Sequence, residues 1–105
     1  MKEVTVQELK QKIDNNEDFQ LIDVREDYEF DICNLNGEHI PMGQIMENVE
    51  KISRDKHVII HCRSGKRSGA VVNELEKKFG FTNLFNLKGG ILAYAAEIDP
   101  SLPLY

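Results

Sequence analysis

Long hydrophobic runs are missing from this chain. Nowhere do apolar residues approach the roughly 18 in succession that a membrane span needs, and the opening MKEVTVQELKQKIDNN lacks the apolar stretch of a signal peptide. A soluble, cytoplasmic protein is expected. Cysteine is also scarce: Cys33 and Cys62 are the only two, too few for the disulfide framework that supports small secreted domains. No segment rich in Pro, Gly or Ser divides the 105 residues, and there are no internal repeats or low-complexity tracts. The expectation is a single domain over residues 1–105 with one modest core.

An excess of positive charge is lacking too. The net charge of -5 makes a body that repels nucleic acid and anionic membrane, so neither is expected as a partner. Against that background stands HCRSGKRS, residues 61–68, which holds Arg63, Lys66 and Arg67 and no acid. Without those three cations the chain would carry -8. A local positive loop on an acidic body suits a small anion that fits inside the loop better than a polymer lying across the surface.

Thr5 with Glu8 three residues later forms a capping-box pattern, and Val6, Leu9 and Ile13 recur at helical spacing, which predicts a helix over about 5–15. FQLIDV (19–24), HVIIHC (57–62) and NLFNL (83–87) are short and continuously apolar, as strands buried on both faces of a parallel sheet are. Helical patterns fall between them. They are REDYEFDI (25–32), the set Met42, Ile45, Met46, Val49 and Ile52, and the set Val72, Leu75 and Phe79, closed by Gly80. Strand and helix alternate, which implies right-handed crossovers and an α/β fold with a central parallel sheet flanked by helices.

Ligands of such sheets bind beyond the carboxyl ends of the strands. Cys62 sits at such an end, and the loop 63–67 leads into a helix expected to begin near Ser68. Backbone N–H groups at that helix start should converge on the sulfur. A helix N-terminus and neighbouring cations favour the thiolate and lower its pKa from about 8.5. A lone cysteine at a strand end is ordinarily a small buried hydrophobe; the three cations and the glycine that follow Cys62 argue for a reactive thiol instead.

Two chemistries place a cysteine at the base of an anion-binding loop: attack of the thiolate on phosphorus, and attack on a sulfane sulfur that is then kept as a persulfide. HCRSGKRS resembles both the protein tyrosine phosphatase signature and the rhodanese signature, but the phosphatase pattern has five residues between Cys and Arg, whereas four separate Cys62 from Arg67. Each residue contributes up to about 3.5 Å of contour. The shorter ring suits the single outer sulfur of a persulfide better than the several oxygens of a phosphate.

LIDVRE (21–26), HIP (39–41), VIIHCRSGKRS (58–68) and LKGGILAY (87–94) together resemble the single-domain rhodaneses over nearly the whole chain. EFDICNLNGEHIPMGQI (29–45) and AAEIDPSLPLY (95–105) look like the rhodanese domain of enzymes that adenylate sulfur carriers. The resemblance implies a thiosulfate sulfurtransferase or persulfide carrier with Cys62 as nucleophile. It implies no metal or organic cofactor, a small anionic donor such as thiosulfate, and a sulfur-carrier protein or cysteine desulfurase as possible partner. A phosphatase or arsenate reductase on the same scaffold and a non-enzymatic interaction domain are the alternatives. Loop length speaks against the first, and the presence of Cys62 against the second.

Around the nucleophile, Arg63 and Lys66 are candidates to attract the donor's anionic group, and Arg67 to close the loop or contact substrate. Ser64 and Ser68 are candidate donors to the sulfur, and Ser68 is equally placed to cap the helix. Gly65 supplies a backbone conformation that other residues resist. Asp23 and Arg25 are expected to form an ion pair that braces this end of the sheet. His61, next to Cys62 in a strand, points to the opposite face and is a poor general base; neither it nor His57 completes a zinc site. Cys33, beside Phe30, Ile32 and Leu35, is expected to be packing, and Gly89 and Gly90 to turn the chain into a last helix.

Overall fold

A computed structural model describes residues 1–105. Five parallel strands form one sheet in the order β1-β5-β4-β2-β3, comprising β1 (Glu3–Val4), β2 (Gln20–Asp23), β3 (Glu38–His39), β4 (Val58–His61) and β5 (Leu84–Leu87). The three strands expected from apolar runs are the three central ones. The two edge strands have only two residues each, too few to leave a periodic signal.

Helices α1 (Val6–Asp14), α2 (Asp27–Ile32), α3 (Lys66–Phe79) and α4 (Gly90–Glu97) connect and cover the strands. Thr5 caps α1 through the expected box, its Oγ1 accepting from the Glu8 N–H while the Glu8 carboxylate accepts from the Thr5 N–H. The apolar set from Met42 to Ile52 forms 3₁₀ turns over Met42–Lys51, interrupted at Asn48, rather than a regular helix. The apolar face is satisfied either way: Ile45 and Ile52 enter the core.

All four residues of β4 are buried, and their alternation divides two apolar layers. Val58, Ile60 and Cys62 face α3 together with Ile22, Val24, Val71, Val72 and Leu75. Ile59 faces the other way, with Val6 and Leu9 of α1, Leu87 and Tyr94 of α4. Burying an aliphatic side chain of this size contributes roughly 1.5–3 kcal/mol, so the strand that leads to Cys62 is anchored on both faces. Helices therefore lie on both faces, as the sequence predicts, and no helix is long and apolar enough to cross a membrane.

Candidate active site: the ring around Cys62

The site begins where β4 ends. Cys62 is fully buried, and the chain turns immediately so that α3 starts at Lys66 rather than near Ser68. Gly65 is the residue before that helix, at φ 98°, a left-handed conformation that side chains disfavour. An added Cβ there would also come within 3.3 Å of the Leu87 carbonyl oxygen. Ser68 is consequently not the helix cap. It lies inside the first turn, fully buried, because one glycine performs the turn that a capping serine was expected to begin.

The Gly65 N–H lies 3.1 Å from Cys62 Sγ, the Ser68 N–H 3.4 Å and the Ser68 hydroxyl 3.4 Å. Burial pushes the Cys62 thiol up, but the Ser68, Gly65 and Ser64 N–H groups turned toward the sulfur favour its thiolate, and the pKa lies below its ordinary value. Ser64 thus acts through its backbone, while its side chain is exposed. The N-terminus of α3 adds its positive end to the same point.

Lys66 and Arg67 occupy the first turn of α3, where acids are favoured and cations cost about 0.3–1 kcal/mol each. A local rule broken in this way commonly marks a functional position, and an anion held by the ring would restore the balance. Lys66 and Arg63 are exposed, with the Arg63 guanidinium 5.7 Å from the centre of the Tyr105 ring. Arg67, a candidate for substrate contact, is committed elsewhere: Nη1 and Nη2 donate to the two carboxylate oxygens of Glu29 at 2.7 and 2.8 Å. Its place is that of a brace between α3 and α2.

Glu29 was not singled out in the sequence, since REDYEFDI contains four acids with nothing to separate them. The structure buries it, and the Arg67 pair together with the Glu26 N–H at 3.0 Å brings its pKa down to about 2. Asn86 was also missed. A polar residue inside the buried run LFNL was the available signal. In register with Ile60, it shares that residue's face of the sheet, accepts a hydrogen bond from the Ser68 hydroxyl and donates one to the Gly65 carbonyl at 3.1 Å.

Asp23 and Arg25 form the expected ion pair, both side chains fully buried. Arg25 Nη2 donates to Asp23 Oδ2 at 2.8 Å and to the Cys33 carbonyl at 2.6 Å, and Nη1 to the Tyr105 carbonyl at 3.2 Å. Burial disfavours the Asp23 carboxylate, yet the bonds from Arg25 and the nearby His61 bring its pKa below the ordinary value. His61 is fully buried, its Nε2 3.7 Å from Asp23 Oδ2 and without a hydrogen-bond partner. Burial lowers its pKa, and its ring lies between Asp23 and the Cys62 backbone, with Nδ1 3.3 Å from the Cys62 carbonyl. Cys33 is buried against the tail, its thiol donating to the Pro103 carbonyl at 3.6 Å.

The last turn locks the ring from behind. The Ile91 and Leu92 N–H groups at the start of α4 donate to the Cys62 and Arg63 carbonyls at 3.0 and 3.1 Å. Gly90, at φ 62°, allows that approach: a Cβ there would lie 2.4 Å from the Arg63 oxygen and 2.7 Å from that of Cys62.

The family model for the rhodanese-like domain matches residues 5–97. A Bacillus subtilis protein named as a sulfurtransferase, YtwF, is 40% identical, over 95% of this chain and 96% of its own length. MoeZ of Mycobacterium tuberculosis, named as an adenylyltransferase/sulfurtransferase, is 33% identical over 97% of this chain, which spans only 26% of that relative. The crystal structure of a rhodanese-like domain protein from Staphylococcus aureus superposes with a TM-score of 0.83 at 32% identity, covering 100% of this chain and 99% of the other. Such relatives support sulfur transfer in general. The chain belongs to the rhodanese-like domain family.

Proposed function

We propose that the chain is a sulfurtransferase in which Cys62 accepts a sulfane sulfur from thiosulfate or a persulfide donor, holds it as a persulfide and passes it to a thiol or to cyanide. The observation that carries this reading is the ring of N–H donors around a sulfur with only four residues between Cys62 and Arg67. Cys62 is also fully buried, so a donor must insert its reacting atom among the N–H groups. A single terminal sulfur is better shaped for that than a tetrahedral phosphate.

In the first step the Cys62 thiolate attacks the outer sulfur of thiosulfate. The new S–S bond forms as the old one breaks, and the electron pair leaves with sulfite. The donors that hold the thiolate are then positioned for the negative charge of the outer sulfur. In the second step a thiolate or cyanide attacks that outer sulfur, giving an acceptor persulfide or thiocyanate and returning the Cys62 thiolate. Arg63 and Lys66, exposed beside the ring, draw the anionic donor. The chemistry needs no metal or organic cofactor, since sulfur carries the electron pair throughout. A sulfur-carrier protein or cysteine desulfurase is the partner class in this reading.

The test compares Cys62→Ser with Cys33→Ser in a thiosulfate-to-cyanide assay, with an aryl phosphate assayed in parallel. Loss of sulfur transfer in Cys62→Ser, with most of it retained in Cys33→Ser, is expected. Equal losses in both variants, or phosphate hydrolysis without sulfur transfer, would overturn the reading.

A further inference from the structure

The Ser68 hydroxyl has two neighbours and one hydrogen. Its Oγ is 2.5 Å from Asn86 Oδ1 and 3.4 Å from Cys62 Sγ. An amide oxygen only accepts, so at the shorter contact the hydrogen belongs to the serine and points to Asn86.

The orientation of the Asn86 amide decides whether this holds, and a partner on its other side fixes it. Nδ2 donates to the Gly65 carbonyl at 3.1 Å, whose second lone pair takes the Gly69 N–H at 3.0 Å. Turning the amide over would set its oxygen against the Gly65 oxygen with no hydrogen between them. Asn86 is buried, as is Ser68, so water does not relieve that repulsion.

We propose that Asn86 is a positioning residue that keeps the Ser68 hydrogen turned away from Cys62. The resting ring then offers the sulfur backbone N–H donors and a hydroxyl oxygen, but no hydroxyl hydrogen. A thiol can donate to that oxygen; a thiolate meets its lone pair. Asn86 therefore favours the thiol and moderates the acidity that the N–H groups confer, while its second bond holds Gly65 in the ring.

This inference rests on the sulfur-transfer reading only for its consequence in turnover; its test reads the protonation of Cys62 alone. The charged and titratable groups facing the ring are Arg63, Lys66 and Arg67 from the loop and α3, Glu26, Glu29 and Tyr28 at α2, Asp23 at the end of β2 and Arg25 after it, His61 of β4, and Tyr105 beside Arg63. All are common to the proteins compared, so differences between variants isolate the hydroxyl hydrogen.

The experiment titrates thiolate ultraviolet absorbance against pH in Cys33→Ser protein, with the additional Cys62→Ser protein as blank. Adding Asn86→Ala frees the hydrogen for the thiolate and should lower the Cys62 midpoint by about one pH unit, the equivalent of one charge-assisted hydrogen bond. In a Ser68→Ala background the same substitution should produce no such fall. Ser68→Ala alone, the gentler change should Asn86→Ala not fold, should leave the midpoint unchanged or slightly lower. The proposal is overturned if Ser68→Ala raises the midpoint by about one unit, if Asn86→Ala leaves it unchanged or raises it, or if Asn86→Ala lowers it equally with and without Ser68. Absence of sulfur transfer from the Cys33→Ser protein, with the Cys62 midpoint moving in the variants as expected, would touch the sulfur-transfer reading and not this one.

Discussion

Replacing Glu29 by Gln removes one charge from the brace behind the ring and nearly preserves its shape. The Glu29 carboxyl, ordinarily near 4.5, is held at about 2, first by the Arg67 side chain. A depression of about 2.5 units corresponds to about 3.4 kcal/mol of stability at neutral pH, at about 1.36 kcal/mol per unit. Arg67 is 34% exposed, and water and salt screen part of that attraction. About 2 kcal/mol is therefore the expected loss in urea unfolding of Glu29→Gln at pH 7. Because the folded pKa is the lower one, the stabilisation is complete above about 4.5 and disappears as the pH falls through about 2. At pH 3 the linkage relation leaves about two-fifths of it, so parent and variant should then differ by less than about 1 kcal/mol. A gap of the same size at pH 7 and pH 3 would show that the carboxylate charge is not what holds α2 to α3.

Arg25→Met leaves the Asp23 carboxylate buried without its partner and should cost about 3–5 kcal/mol in urea unfolding, with part of the loss recovered in the double variant Asp23→Asn/Arg25→Met; a loss below about 1 kcal/mol contradicts the bracing role. Gly90→Ala places a Cβ against the Arg63 and Cys62 carbonyls and should lower both stability, by at least about 2 kcal/mol, and sulfur transfer. Gly80→Ala is its control, since Gly80 shares the left-handed backbone at φ 69° but has nothing within 4 Å of an added Cβ. Equal effects at the two glycines, measured by unfolding and by transfer rate, would mean that strain alone and not the approach to the ring sets the cost.

Local pattern determined much of this protein by itself. The capping box at Thr5, the apolar runs of β2, β4 and β5, the stop at Gly80 and the position of Cys62 at a strand end depend on residues within a few positions of one another, so their signals survive in one dimension. The cationic loop was legible for the same reason. The start of α3 lies two residues before the expected Ser68 because serine capping and a glycine turn are competing local solutions, and the fold accommodates the second: Gly65 sits where a Cβ would crowd the Leu87 carbonyl, and its own carbonyl accepts from Asn86. What surrounds the loop depended on the fold. Arg67 meets Glu29 across 38 positions, Ser68 meets Asn86 across 18, and Arg25 reaches Tyr105 across 80. No periodicity records these meetings: the order β5-β4-β2 brings Asn86 and Arg25 to either side of Cys62, and the crossover through α2 sets Glu29 opposite Arg67. The sequence thus singles out Cys62, and the tertiary structure decides which groups surround its sulfur and brace the loop around it.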